Sequence, residues 1–439
     1  MACEAVTSLE AWGGEKMHIA MLSGEYPPRW GGMGSTVFHL SGALAKMGHK
    51  ITVITRSEAK ARKDPSLIPK QDGVTVRMVK WAKIPMAFTR SYGRHALKEL
   101  LTLHKRDPID AVHVHAPMIS WTPKQFSQVR AEIGNVTTSL HGSWLGERDG
   151  MVRAAKYGES ATWKNPNDLA ILLTAKHYAK YERAAVCGST VCVPNSEATK
   201  RDFESRYNPP ENWRVEVVRW GVDVEMFRPQ NHDDEDSQIA HEKMRNRYGQ
   251  PDEAALSGGA ETNTPLLLAV GRLAGRKGFR TLLRAMPRIL ANNSGAHLVI
   301  VGRGHMRKTL LKQAKKLGIQ NAVTIESGMP FEDLAQLFRS ADLCVYPSLY
   351  EGQGLIPLEA MASGTPCATV NDGPLPEMVD ESVGALFEVG SPVSLANEVN
   401  NLLANYEKRA IFAEAGRKRV VSEYTYDLNA TKYANFYAE

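Results

Sequence analysis

Short apolar runs alternate with amphipathic stretches along the whole chain. In the first half such runs predict strands at His18–Leu22, Ile51–Thr55, Val74–Val79, Ala111–His115, Asn135–Leu140, Thr190–Val193 and Val215–Val218. Segments with a period near 3.6, such as Thr36–Met47 and Ser196–Tyr207, lie between several of them. The second half repeats the scheme, with strands predicted at Leu266–Val270, His297–Val301, Val323–Ile325, Leu343–Tyr346 and Cys367–Val370. Helices are predicted there at Arg276–Leu290, Met306–Leu317, Glu332–Ser340 and Ile356–Ser363. Strands that are apolar throughout need cover on both faces, which helices provide in parallel sheets. Two such halves predict an α/β protein of two Rossmann-like domains, each binding its ligand at the carboxyl ends of its strands.

Length agrees with that division, since 439 residues exceed what one core usually serves. The expected boundaries are a disordered extension over 1–16, a first domain over 17–222 and a polar connector over 223–264. A second domain follows over 265–420, and a helix over 421–439. The connector carries the run Asp233-Asp234-Glu235-Asp236, which resembles an Asp-x-Asp metal site. No strand delivers that run to a site, so it is expected to be a solvated charge run. The final helix, rich in tyrosine, fits either a return to the first domain or a place on the second.

Hydrophobic residues make up 43% and charged residues 23%, which suits a globular protein. No apolar span is long enough to cross a membrane as a helix, and the first residues lack the pattern of a secretory signal. Five cysteines without metal-type spacing (Cys3, Cys187, Cys192, Cys344 and Cys367) suggest reduced thiols and a cytoplasmic location. The net charge of +6 is unevenly spread: Lys46 to Arg106 holds fifteen Lys/Arg against four Asp/Glu. That face could meet solvent, anionic lipid at the inner membrane surface or an anionic acceptor. Few aromatics interleave the charges, so nucleic acid is not an expected partner.

The densest chemistry lies between Tyr346 and Glu377. An apolar run breaks at Pro347, a loop carries Glu351 among small residues, and a helical segment begins near Leu355. Glu359 follows eight positions after Glu351, on that helix. A glycine-rich approach to a helix N-terminus suits an anion, and carboxylates suit hydroxyl-rich ligands. Together they describe a pocket for a sugar joined to a phosphate. Gly271 and Arg272 leave a predicted strand and Lys277 opens the next helix, so two cations stand at a strand's carboxyl end. Gly31, Gly32 and Gly34 follow the first strand, where backbone without side chains can approach phosphate closely. His141 ends another strand. His113 and His115 share one side of theirs, but no third ligand accompanies them, so no metal site is expected.

These blocks, in this order, resemble retaining glycosyltransferase family 4, which has the GT-B fold of two Rossmann-like domains facing across a cleft. The resemblance runs from Met17 to about Tyr437. It rests on Gly24-Glu25-Tyr26-Pro27-Pro28-Arg29-Trp30-Gly31-Gly32-Met33-Gly34, on Val193-Pro194-Asn195-Ser196-Glu197-Ala198-Thr199, on Val270-Gly271-Arg272-Leu273 with Lys277-Gly278, and on Glu351 with Glu359. It implies that Arg272 and Lys277 hold the diphosphate and that Glu359 accepts from ribose hydroxyls. It implies further that Glu351, with the amides of Gln353, Gly354 and Leu355, faces the donor sugar, and that His141 stands near its C6 hydroxyl. Arg29-x-Gly31-Gly32 resembles the acceptor-side Lys-x-Gly-Gly loop of glycogen synthases. The family commonly has an aromatic where Gln353 stands, which leaves the sugar open.

The expected activity is therefore transfer of a hexosyl group, with retention, from a nucleotide diphosphate sugar to a hydroxyl acceptor. The acceptor is a glucan, an oligosaccharide or a lipid-linked sugar. No metal or other cofactor is expected, because positioning and charge stabilisation account for the residues found. Two other classes stay open at this point. One is a nucleotide-sugar epimerase, which would act without an acceptor. The other is a sugar-nucleotide-binding protein without turnover.

Overall fold

The computed structural model describes residues 14–159, 165–248 and 264–439. Most of the predicted extension (1–13) and part of the connector (249–263) lie outside the described residues. The chain divides into two compact units. The first holds Met1–Leu145, Leu173–Gly221 and Thr425–Glu439, and the second holds Gly146–Leu172 and Val222–Tyr424.

Each unit is built on a six-stranded parallel sheet. The first comprises β1 (His18–Ser23), β2 (Lys50–Arg56), β3 (Val74–Val79), β4 (Ala111–Ala116), β5 (Asn135–Leu140) and β6 (Val191–Pro194), in the order β3-β2-β1-β4-β5-β6. The second comprises β7 (Leu266–Val270), β8 (His297–Val301), β9 (Val323–Glu326), β10 (Leu343–Tyr346), β11 (Cys367–Val370) and β12 (Gly384–Phe387). Its order, β12-β11-β10-β7-β8-β9, is the same doubly wound pattern read from the other edge. In each unit the direction of winding reverses beside the first strand, so the loops leaving β1 and β4, or β7 and β10, diverge and open a crevice.

The strands that flank this point are buried along their whole length, including every residue of β1, β4, β7 and β10. Both faces are covered, as near-continuous apolar sequence requires. Fully burying one such Leu or Val stabilises by about 1.5–3 kcal/mol, so the sheet centres form the rigid base for the loops above them.

Three expectations change. The predicted strand Val215–Val218 makes only one isolated bridge, Val215 to Cys192. β12 is not among the predicted strands: it is only four residues long and opens at Gly384, a residue that disfavours strands. The connector is more than a solvated link: it forms the helix Glu235–Tyr248, which buries Met244 and Tyr248 in the core of the second unit. In the basic stretch, the helix Ala87–His104 buries Ala96, Leu97, Leu100 and Leu103 in the core of the first unit and leaves Arg94 and Lys98 exposed. Its apolar face thus serves the core and is not offered to lipid. Among the described residues no helix is long and apolar enough to cross a membrane.

The helix Tyr426–Ala438 belongs to the first unit. Tyr433 and Tyr437 are buried there. The hydroxyl of Tyr433 pairs with Ser139 Oγ at 2.6 Å, and that of Tyr437 with His113 Nδ1 at 2.7 Å.

Candidate functional site

In the second unit, the loops leaving β7 and β10 are fastened to each other. After β7 the backbone turns at Gly271 (φ 150°), passes through the 3₁₀ turn Gly275–Lys277, and enters the helix Phe279–Asn292 at Gly278 (φ 70°). Gly278 is the one residue type that fits here: a Cβ would stand 1.9 Å from the Pro347 carbonyl oxygen, and the left-handed backbone disfavours any other residue. The Leu349 amide donates to the Arg276 carbonyl at 2.7 Å, and Ser348 Oγ donates to it at 3.3 Å. The β7 exit therefore carries its cations directly onto the loop that bears Glu351.

Lys277 and Glu351 form an ion pair, both nearly buried. The Glu351 carboxylate also accepts from Tyr346 Oη at 2.6 Å and Ser348 Oγ at 2.6 Å, and Lys277 Nζ donates to Tyr346 Oη at 3.0 Å. Burial alone would raise the Glu351 pKa, but Lys277 and Arg276 outweigh it and hold the carboxyl below its ordinary value. Burial lowers the Lys277 pKa, with Glu351 opposing that shift. Arg272 is exposed, and its side chain makes no hydrogen bond or ion pair among the described residues.

Gly354 (φ 103°) starts the helix Leu355–Ala362, with Gln353 buried just before it. Glu359 lies on this helix, and its carboxylate accepts no hydrogen bond from the described residues. Burial raises its pKa to about 7. The structure thus brings Gly271, Lys277, Glu351, Gln353 and Gly354 onto the two loops at the reversal point of one sheet, with Leu355 and Glu359 on the helix that follows the second loop.

Sequence reasoning missed several contributors. Arg276 forms an ion pair with Glu147 at 3.1 Å. Tyr350 lies against Gly146 and Gly150, where Cβ atoms would come within 2.2 and 2.6 Å of it. Glu159, fully buried, accepts from the backbone amides of Arg280 (3.1 Å) and Thr281 (2.5 Å) and from Thr281 Oγ1 (2.7 Å). It satisfies the first amides of the helix Phe279–Asn292, which has no side-chain cap of its own. Residues 146–172, read from sequence as part of the first domain, belong to the second unit. The adjacency of Arg276 to Lys277 was a visible signal, but nothing local marks Glu147 or Glu159.

The other predicted residues lie in the first unit. Gly31 is the extended N-cap of the helix Gly32–Lys46 (φ −162°). The space a Gly31 side chain would fill holds the Glu25 carboxylate, and a Cβ on Gly34 would stand 2.7 Å from the Arg29 carbonyl oxygen. Arg29 forms an ion pair with Glu58 at 2.6 Å and lies over the Trp81 ring. His141 follows β5. Its Nε2 meets His115 Nδ1 at 2.9 Å, its ring stacks on that of His115, and its Nδ1 is buried without a partner. Burial, reinforced by the neighbouring His115, holds the His141 pKa well below its ordinary value, so the imidazole is neutral. His113 is fully buried and uses both ring nitrogens, on Ser139 and Tyr437. His113 and His115 are therefore core residues of a central strand. Among the described residues no group of three or more His, Cys, Asp or Glu is placed to hold a metal. A cavity of about 320 Å³ in the first unit, lined in part by Tyr26, Lys70, Gln71 and Asp72, contains none of the predicted residues.

The chain matches the family model for group 1 glycosyl transferases over residues 253–419 and that for glycosyltransferase family 4 over residues 30–226. It is 27% identical to an uncharacterized glycosyltransferase of Methanocaldococcus jannaschii, covering 96% of this chain and 98% of the relative. It is 28% identical to a glycogen synthase of Mycobacterium tuberculosis, covering 96% and 94%. Among solved structures, sucrose-phosphate synthase from Thermosynechococcus elongatus superposes with a TM-score of 0.74 at 21% identity, covering 96% of this chain and 98% of the other. With two doubly wound sheets of GT-B type and a family-model match over each half of its length, the chain belongs to the group 1, family 4 glycosyltransferases.

Proposed function

We propose that this glycosyltransferase moves a hexosyl group from a nucleotide diphosphate sugar to a hydroxyl acceptor, with retention at the anomeric carbon. One observation carries the reading. In the second unit Lys277 and Glu351 are locked together beside Arg272, and neither the Arg272 guanidinium nor the Glu359 carboxylate on the adjoining helix has a partner among the described residues. Cations suit a diphosphate, and an unpartnered carboxylate suits the two hydroxyls of a ribose.

Transfer breaks the bond between the anomeric carbon and a phosphate oxygen, placing positive charge on the sugar ring and negative charge on the leaving phosphate. Arg272 and Lys277 take the role of stabilising that phosphate, a contribution of about 3–4 kcal/mol for each well-placed donor. Glu351 and the amides of Gln353, Gly354 and Leu355 orient the sugar. Gly31 and Gly32 let backbone approach the donor, and Arg29 and Gly34 shape the acceptor loop. His141, neutral and with a free Nδ1, suits a hydroxyl partner rather than a charged one. The acceptor hydroxyl attacks the face that the phosphate leaves, and its proton passes to that phosphate. No metal enters this scheme, so EDTA should leave the rate unchanged.

A thermal-shift panel of UDP, GDP and ADP sugars tests the reading, because a bound donor raises the melting temperature. One base should give a clear shift, and turnover with that donor across glucan, oligosaccharide and lipid-linked acceptors should yield a product of retained configuration. Lys277→Ala should lower kcat/KM by about a hundredfold or more with the fold intact. An epimerase would convert its donor with no acceptor present, and a binding protein would shift without turnover. Either outcome replaces the proposal.

A further inference from the structure

Arg276 presents an unusual balance. Its side chain is only 15% exposed, and its one ion pair uses Nε, at 3.1 Å from Glu147. No other hydrogen bond to its guanidinium comes from the described residues. A guanidinium offers five donors in a planar fork, and nearly buried donors are as a rule matched. Its carbonyl is pinned by Leu349 and Ser348, so the residue rides on the same loop as Glu351. Burial opposes its charge, but Glu147 and Glu351 outweigh that and raise its pKa, so the group stays ionised.

Glu147 lies on the helix Trp144–Lys156, in the part of it that belongs to the second unit. That helix is seated through Tyr350, packed against Gly146 and Gly150, and through Arg153, which pairs with Asp372 at 2.5 Å. It is therefore a fixed support from which a carboxylate can aim a side chain on the neighbouring loop.

We propose that Arg276 is a third phosphate-binding cation beside Arg272 and Lys277, its two Nη groups taking a non-bridging phosphate oxygen, and that Glu147 is the positioning residue that holds its fork in place. This rests on the nucleotide-sugar reading above. It separates from that reading experimentally, because the wild-type response to nucleoside diphosphates tests the reading alone.

The role of Glu147 can be told from simple charge balance. Removing a carboxylate near an anion site should tighten anion binding if charge alone matters. If Glu147 acts by aiming Arg276, its loss should weaken binding although the site becomes more positive.

The test measures binding of UDP, GDP and ADP to the full chain by calorimetry at two salt concentrations, with melting temperature as the control for folding. Whichever diphosphate binds the wild type is used for the variants. Arg276→Gln should weaken it by about tenfold to a hundredfold and flatten the salt dependence. Arg276→Lys, which keeps the charge but loses the fork, should fall between. Glu147→Gln should weaken binding by about threefold to tenfold, with the melting temperature within a few degrees of wild type. For a donor sugar the loss should appear in KM and kcat together. Wild-type affinity in Arg276→Gln overturns the cation; should that variant not fold, wild-type affinity in Arg276→Lys overturns the contact through the guanidinium fork. Tighter binding in Glu147→Gln overturns the positioning role. A wild type that binds none of the three diphosphates instead removes the underlying reading.

Discussion

At the scale of single residues, Glu359 carries the clearest pH signature. Burial, with no partner for its carboxylate among the described residues, raises its pKa from 4.5 to about 7. The sign follows from proton binding: between those values the folded chain holds the proton more tightly than the unfolded chain does. This group alone therefore costs stability as pH rises through that window. Ligand binding should run the other way, since only the carboxylate accepts from two ribose hydroxyls. The ribonucleotide should bind about tenfold better than its 2′-deoxy counterpart near pH 8, and that ratio should shrink towards one near pH 6. Using the ratio cancels the titration of the phosphate itself. A ratio that is flat with pH, or that persists in Glu359→Gln, removes Glu359 from the ribose. Glu359 and Glu351 were legible in the sequence because their loop, glycine and helix context is local. Arg276 was visible but not separable from an ordinary surface cation. Glu147 was not legible at all, because only tertiary packing brings it to Arg276.

Elements depend on such unseen partners too. The helix Phe279–Asn292 was predicted from its periodicity, yet its start was placed at Arg276, three residues early. The cause is Gly278, whose left-handed backbone ends the 3₁₀ turn and resets the helix. The first amides of the helix then need acceptors, and they find the Glu159 carboxylate from a distant part of the chain. Burial raises the Glu159 pKa, with Thr281, Arg280 and Arg284 opposing. Replacing Glu159 by Ala strips those amides and leaves Arg284 without its carboxylate, at a cost of about 3–5 kcal/mol. Glu159→Gln keeps an acceptor and should cost only about 1–2 kcal/mol. Urea denaturation of the two variants measures both. Equal, small losses would mean that water caps this helix as well as Glu159 does.

At the scale of the whole molecule, the strand–helix alternation foretold two doubly wound sheets, because apolar runs of strand length are a direct record of two-sided burial. It did not foretell where the chain would leave one unit for the other. Residues 146–172 have the periodicity of ordinary helices, and nothing in that pattern says which sheet they cover. Their placement in the second unit follows from particular fits. Tyr350 sits on Gly146 and Gly150, the Tyr157 ring fills the space beside Gly390, and Asn165 Nδ2 meets His305 Nδ1 at 3.1 Å. A fragment cut at the apparent boundary, residues 222–424, lacks all of these together with the Glu159 cap. It leaves Tyr350 uncovered and removes the Glu159 carboxylate from the amides of Arg280 and Thr281. Summing a lost cap and lost aromatic burial gives a deficit of about 5 kcal/mol or more, comparable to the whole stability of a domain. Residues 222–424 alone should therefore show no cooperative thermal transition, while the same fragment carrying 146–172 through a flexible Gly/Ser linker should melt sharply. Near-ultraviolet circular dichroism and calorimetry on the two chains decide the matter. A sharp transition at the same temperature in both would show that the second unit is complete without its excursion.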